Sequence, residues 1–193
     1  METVKTLDLK PVVSVRQNIA AQASWIAIFA ALTAVGAQIE IPHRPVPYTL
    51  QTFVVLLAGG MLGRRNGALS QLMYLAAGLL GLPVFSSGGF GLARLIGPTG
   101  GYLLSFPVAA FVVGYLLEGK PNYRRALVSM VVGAIVIFSL GTLQLFFVYF
   151  HDWEMAIANG FLIFSWWDLA KILGAAAIIT QQAKRQGKET PQN

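Results

Sequence analysis

Cysteine is absent from this 193-residue chain, and histidine occurs only twice, as His43 and His151. The lack of cysteine excludes disulfides, thiolate metal ligands and cysteine nucleophiles. Charge is also scarce, because Asp, Glu, Lys and Arg make up 11% of the residues, whereas soluble domains have about 25%. With 55% hydrophobic residues, the composition excludes an ordinary soluble enzyme and predicts an integral membrane protein without a metal site.

Long apolar runs, separated by short polar breaks, predict an all-α bundle of six transmembrane helices in a single domain, residues 1–193. The first run matches the thickness of a bilayer core, and the polar N-terminal segment shows no cleavable signal peptide. The predicted spans are about 19–39, 50–62, 68–82, 101–117, 126–150 and 155–179.

The basic residues predict the orientation of these spans. Most of the 14 lysines and arginines lie in the two tails and in the hairpins around Arg64 and Lys120, whereas Arg44 and Arg94 lie in the two opposite loops. The positive-inside rule therefore places both termini in the cytoplasm and the irregular loops 40–49 and 83–98 outside. Because the basic residues occupy topological breaks and form no continuous face, the net charge of +6 does not indicate a nucleic-acid partner.

Asp168 and Lys171 are ionisable residues inside the last apolar run, three positions apart and therefore on one helix face. Each costs roughly 2.5–3.5 kcal/mol at the bilayer centre, so both are expected to face the bundle. One interpretation is an ion pair that only neutralises itself. The other is a polar pocket, in which carboxylate and ammonium receive a ligand with N–H donors and an acid group.

Arg94 stands in a loop rich in glycine, and its guanidinium suits either a ligand carboxylate or solvent and lipid headgroups. Trp166 and Trp167 are better explained by packing than by ligand stacking. The first run carries small residues at four-residue spacing, which permit close approach of another helix, inside the bundle or in a partner. These residues are Ala27, Ala30, Ala31 and Ala34.

Sequence signatures of catalysis are not found. The chain contains no His-Glu-x-x-His, no Gly-x-Ser-x-Gly and no dinucleotide fingerprint. We therefore predict no catalytic residues and no cofactor.

Four segments in order resemble the BioY family, the biotin-specific substrate-binding (S) components of energy-coupling factor (ECF) transporters. They are Val46-Pro47-Tyr48-Thr49-Leu50-Gln51-Thr52-Phe53, the run from Tyr74 to Phe85, Gly97-Pro98-Thr99-Gly100-Gly101-Tyr102, and Asp168-x-x-Lys171. The resemblance extends over nearly the whole chain, from about Ala27 to Lys171.

The resemblance implies a six-helix S component that captures biotin from outside a bacterial inner membrane. It implies partners as well: a transmembrane coupling protein and two ABC-type ATPases, with the alanines of the first helix as the contact surface. Asp168 is implied to accept from a ureido N–H of biotin and Lys171 to hold an oxygen. Further implied pocket residues are Arg94, Gln51, Tyr48 and Ser86.

Three alternatives stay open at this point. The first is an S component for another vitamin, because such bundles share their architecture and differ in the pocket lining. The second is an intramembrane enzyme that uses Asp168 as a base, and the third is an assembly subunit without a small-molecule ligand.

Overall fold

A computed structural model describes residues 18–119, 122–162 and 166–189, which fold into a helical bundle with one short β-hairpin. The helices are α1 Ile19–Gln38, α2 Gln51–Leu79, α3 Leu92–Ile96, α4 Gly100–Leu116, α5 Tyr123–Leu145, α6 Trp153–Gly160 and α7 Trp166–Glu189. Strands β1 Glu40–Ile41 and β2 Tyr48–Thr49 pair antiparallel, so the all-α prediction needs this small addition. The hairpin forms because prolines at positions 42, 45 and 47 prevent α1 from continuing.

Helix α2 contains the predicted second and third spans, joined by a sharp reversal at Gly63. Gly63 has φ 77° and ψ 175°, a conformation that favours glycine. The segments 51–62 and 64–79 fold back on each other, since a side chain on Gly67 would collide with the backbone of Ala58. The predicted polar hairpin of residues 63–67 is therefore shorter in the structure, and helix resumes at Arg64.

The predicted sixth span, 155–179, corresponds to two helices instead of one. Helix α6 begins where the Asp152 side chain accepts from Met155 N at 2.7 Å, and it ends at Gly160. Helix α7 begins again at Trp166, and residues 163–165 lie outside the described part of the chain. Asp168 consequently lies in the first turn of a helix, where a carboxylate is favoured by the helix dipole.

The other predicted boundaries need smaller corrections. The fifth span begins three residues earlier than predicted, and after Leu145 the helix widens into a π-type turn, Phe146–Phe150. The loop 83–98, expected to lack helix, contains a 3-10 turn at Ser86–Gly88 and the short helix α3.

Large apolar side chains are exposed on the outer faces of the helices, among them Leu32, Leu72, Phe111 and Val128. Contiguous exposed apolar surface of this kind marks contact with lipid or with another protein. By length and composition, α1 and the stretch Tyr123–Phe150 are each able to cross a membrane, and α4 is apolar but shorter.

The four alanines of α1 that were predicted to contact a partner divide between two environments. Ala30 is buried in the core and Ala34 packs against it, next to buried Thr33. Thr33 Oγ1 donates to Gln71 Oε1 of α2 at 3.3 Å, so this face of α1 is occupied within the bundle. Ala27 is half-buried and Ala31 is exposed, and these two remain available to a partner.

Candidate functional site

The inward face of α7 places Asp168 and Lys171 inside the bundle. Ile172, Ala175 and Ile179 continue the same buried stripe. The three-residue spacing thus brings both ionisable groups to one face, as the sequence predicted, and the apolar stripe anchors that face in the core.

Asp168 and Lys171 form a buried ion pair, with Lys171 Nζ 2.6 Å from Asp168 Oδ1. The same ammonium donates to the Thr49 carbonyl oxygen at 3.0 Å and to Thr52 Oγ1 at 2.7 Å. An ammonium has three protons, so Lys171 finds an acceptor for each of them. This arrangement ties α7 to β2 and to the start of α2, and it compensates the cost of burying the charge.

A cavity with about 50 Å³ of free volume lies against this ion pair. Its polar wall comes from the start of α2 and from the two irregular loops. The polar side chains on this wall, besides the ion pair, are those of Tyr48, Thr49, Gln51, Thr52, Ser86 and Thr99.

Aromatic side chains form much of the rest of the lining. Phe85, Tyr102, Phe106 and Phe138 contribute rings from the loop 83–98, α4 and α5. Apolar walls with a few fixed polar groups are typical of small-molecule sites. The cavity therefore suits a ligand with an apolar body and polar groups that reach Asp168 and Lys171.

Gln51 and Tyr74 connect the two loops that line the cavity. Gln51 Oε1 accepts from Thr49 Oγ1 at 2.9 Å, and Gln51 Nε2 donates to Tyr74 Oη at 2.5 Å. Tyr74 Oη in turn donates to the Val84 carbonyl oxygen at 3.2 Å. Because all of these groups are buried or partly buried, the chain of hydrogen bonds fixes the loop segments relative to each other.

Tyr48 and Ser86, which were predicted from the sequence, both line the cavity. Tyr48 is half-buried, and its ring lies 5.0 Å from the ring of His43. Ser86 is buried beside Phe85 at the other side of the opening.

Arg94, which was predicted to belong to the pocket, is not among the residues that line this cavity. Its guanidinium lies across Gly89, where any side chain would collide with it. The guanidinium fits there because glycine at position 89 has no side chain. Trp166 is exposed, and neither tryptophan of the Trp166–Trp167 pair belongs to the lining.

Several lining residues were missed from the sequence. Thr49 and Thr52 flank Gln51 in the first motif, close to the residue at which α2 begins. Their position at the start of this helix is the signal that indicates them. Thr99 and Tyr102 belong to the Gly-Pro-Thr-Gly-Gly-Tyr motif. Phe106 and Phe138 carry no local signal, because only the packing of α4 against α5 brings them to the cavity.

Comparison with known proteins places this geometry in a family. The model of the BioY family matches residues 6–188. A protein of Thermotoga maritima named biotin transporter BioY is 46% identical over 157 residues, which are 81% of this chain and 92% of that protein. Biotin transporter BioY2 of Lactococcus lactis is 38% identical over 149 residues, 77% of this chain and 82% of that protein.

A solved structure is similar as well. The crystal structure of the S-component for biotin from an ECF-type ABC transporter aligns with a TM-score of 0.77 and 27% identity. The alignment covers 86% of this chain and 92% of that one. These relatives are transporter proteins and not enzymes, which agrees with the absence of predicted catalytic residues. Because the family model spans most of the sequence and the fold matches, the chain belongs to the BioY family.

Proposed function

We propose that this chain is the biotin-binding S component of an ECF transporter and that it takes part in biotin uptake. The observation that carries the proposal is the buried Asp168–Lys171 pair at a cavity with aromatic walls, in a member of the BioY family. The names of the relatives, biotin transporter BioY and S-component for biotin, support it.

The chemistry of the cavity suits biotin, which has a ureido ring with two N–H donors and a carbonyl, a thioether ring and a carboxylated tail. Asp168 accepts from a ureido N–H, because its carboxylate is an acceptor only. Lys171 exchanges one of its three present acceptors for a biotin oxygen. Phe85, Phe106 and Phe138 then contact the fused rings and the apolar tail.

Membrane insertion follows the six longer helical segments in the described part of the chain. We assign the spans to α1, the two segments of α2, α4, α5 and α7, in one domain. With both termini cytoplasmic, the cavity opens to the outside and the Gly63 turn faces the cytoplasm. The protein then lies in the inner membrane of a bacterium as a multi-pass protein.

Energy for uptake comes from partners, because this chain carries no ATP-binding signature. The proposed partners are a transmembrane coupling protein and two ABC-type ATPases. Ala27 and Ala31 on the outer surface of α1 are the proposed contact, since Ala30 and Ala34 pack within the bundle. Small side chains there let a partner helix approach closely.

Equilibrium binding of labelled biotin to the purified full-length chain in detergent tests the proposal. We expect saturable binding of about one biotin per chain, which unlabelled biotin competes away and excess thiamine or riboflavin leaves unchanged. The control is the Ala31→Leu variant, altered far from the cavity, which binds biotin like the parent chain. A folded, monodisperse parent chain that binds no biotin contradicts the proposal, and displacement by thiamine or riboflavin indicates an S component for another vitamin.

A further inference from the structure

The segment 83–98, called the cover below, contributes Phe85 and Ser86 to the cavity lining, and side chains from two helices hold it in place. At its first end, Gln38 of α1 donates through Nε2 to the Phe85 carbonyl oxygen at 3.0 Å. The same side chain accepts from Gly88 N through Oε1 at 3.2 Å. Phe85 is itself a lining residue, so Gln38 fixes one edge of the cover.

Gln144 of α5 holds the second end. Its Nε2 donates to the carbonyl oxygens of Leu95 at 2.8 Å and Gly97 at 2.7 Å. Leu95 lies in the last turn of α3, where the carbonyls of a helix have no partner within it, and Gly97 follows the helix. The Gly97 carbonyl oxygen also accepts from Gly100 N at 3.1 Å. One amide group supplies two protons and therefore satisfies both acceptors.

The diglycine Gly100-Gly101 provides the room for this contact. A side chain on Gly100 would collide with the Leu95 carbonyl and with Nε2 of Gln144. On Gly101, it would collide with the Leu140 carbonyl and with Cβ of Gln144. The two glycines of the Gly-Pro-Thr-Gly-Gly-Tyr motif thus allow α5 to bring its glutamine against the end of α3.

The cover also has to move. The side chains of Asp168 and Lys171 beside the cavity are each only 6% exposed. A ligand that arrives from solvent therefore reaches them only when the lining separates. The bonds that hold segment 83–98 therefore oppose both the arrival and the departure of a ligand.

We propose that Gln144 is a positioning residue that holds the segment 83–98 closed over the cavity and thereby sets the residence time of the ligand. Gln38 is the second anchor, with a smaller effect because it is exposed and water competes for its bonds, whereas Gln144 is partly buried. The proposal rests on the proposed function in taking biotin as the ligand.

A test without ligand uses the absence of native cysteine. Leu95→Cys places a single thiol at a buried position of the cover. Maleimide labelling of this thiol in the full-length chain then measures opening. We expect roughly tenfold faster labelling when Gln144→Met is added, because two hydrogen bonds are lost without a large change in side-chain volume. The matched control is Gln22→Met. Gln22 is an amide on α1, and its partner Asn66 lies 3.5 Å away beside the Gly63 turn. We expect this variant to leave the labelling rate unchanged.

A second test measures dissociation of labelled biotin from the chain with its native Leu95. We expect roughly tenfold faster dissociation for Gln144→Met, a smaller increase for Gln38→Met and the parent rate for Gln22→Met. The rate is measured only on chains that hold biotin, so a loss of folded protein does not change it. Gln144→Glu, whose carboxylate faces the two carbonyls without a donor, repeats the comparison if the methionine variant folds poorly.

The inference is overturned if both Gln144 variants are labelled and release biotin at the same rates as the chains that keep Gln144. In that case, biotin binding by the parent chain still supports the proposed function. Faster labelling of Leu95→Cys on addition of Gln144→Met, together with a parent chain that binds no biotin, gives the reverse result: Gln144 holds the cover, and the proposed function is wrong.

Discussion

Two ion pairs at opposite ends of the bundle have similar geometry and different surroundings. Lys171 and Asp168 are 2.6 Å apart, and each side chain is 6% exposed. Arg64 and Glu118 are 2.9 Å apart, and their side chains are 39% and 24% exposed. The first pair faces a cavity, whereas the second joins the Gly63 turn to the end of α4 in contact with solvent.

The comparison teaches that burial, more than distance, determines the consequence of losing a partner. Water replaces a lost partner at the Arg64 end, so an exposed pair contributes little. At the cavity, a charge left by its partner is shielded from bulk solvent and destabilises the fold. Burying an ion pair costs free energy. A buried pair beside a cavity is therefore better explained by ligand binding than by mutual neutralisation of the two charges.

Loss of the buried cation gives the largest expected effect. Lys171→Ala removes the ammonium that balances the Asp168 carboxylate, so we expect a loss of about 3–5 kcal/mol of stability and no measurable biotin binding. Thermal unfolding and equilibrium binding in detergent measure the two effects. The double variant Asp168→Asn/Lys171→Met removes both charges and is expected to regain stability without binding; if it stays as unstable as Lys171→Ala, the charge explanation is wrong.

Neutralising the carboxylate separates binding from folding. Asp168→Asn keeps an oxygen that accepts from Lys171 but loses its charge. We expect biotin affinity about 10- to 100-fold weaker, since hydrogen bonds to charged groups contribute about 1.5–3 kcal/mol. Titration with labelled biotin measures the change, and an affinity equal to the parent's argues against a contact between Asp168 and the ureido ring.

Removing a hydroxyl behind the cavity gives a smaller effect. Tyr74→Phe leaves Gln51 Nε2 and the Val84 carbonyl without their shared partner. We expect a loss of about 1–3 kcal/mol of stability with a weaker effect on affinity than Asp168→Asn. Thermal unfolding with and without biotin distinguishes the two quantities. Tyr115→Phe, an exposed tyrosine at the other end, is the control and is expected to unfold like the parent chain.

The exposed pair gives the smallest effect. Glu118→Gln is expected to change stability by less than about 1 kcal/mol and to leave biotin affinity unchanged. The same titration and unfolding measurements apply. A large loss of biotin affinity in Glu118→Gln contradicts the view that the Arg64–Glu118 end of the bundle is separate from the cavity.

The apolar runs and the spacing of Asp168 and Lys171 predicted the helical bundle and the central pair of the site, because both follow from local periodicity. The division of the last run into α6 and α7 was missed, although Asn159-Gly160 is a turn signal inside residues 155–179 and marks the point where α6 ends. The place of the Arg94 guanidinium against Gly89, five residues away, was not predicted, because no local pattern shows which side chain occupies the room that glycine leaves. Gln144 was missed because its role depends on the contact between α5 and the end of α3, which no local pattern encodes.

A structure of the chain with biotin bound tests the central claim most directly. The account predicts a ureido nitrogen within about 3 Å of an Asp168 carboxylate oxygen, with the rings against Phe85, Phe106 and Phe138. Biotin bound at the Arg64–Glu118 end, or in the cavity without contact to Asp168 or Lys171, contradicts it.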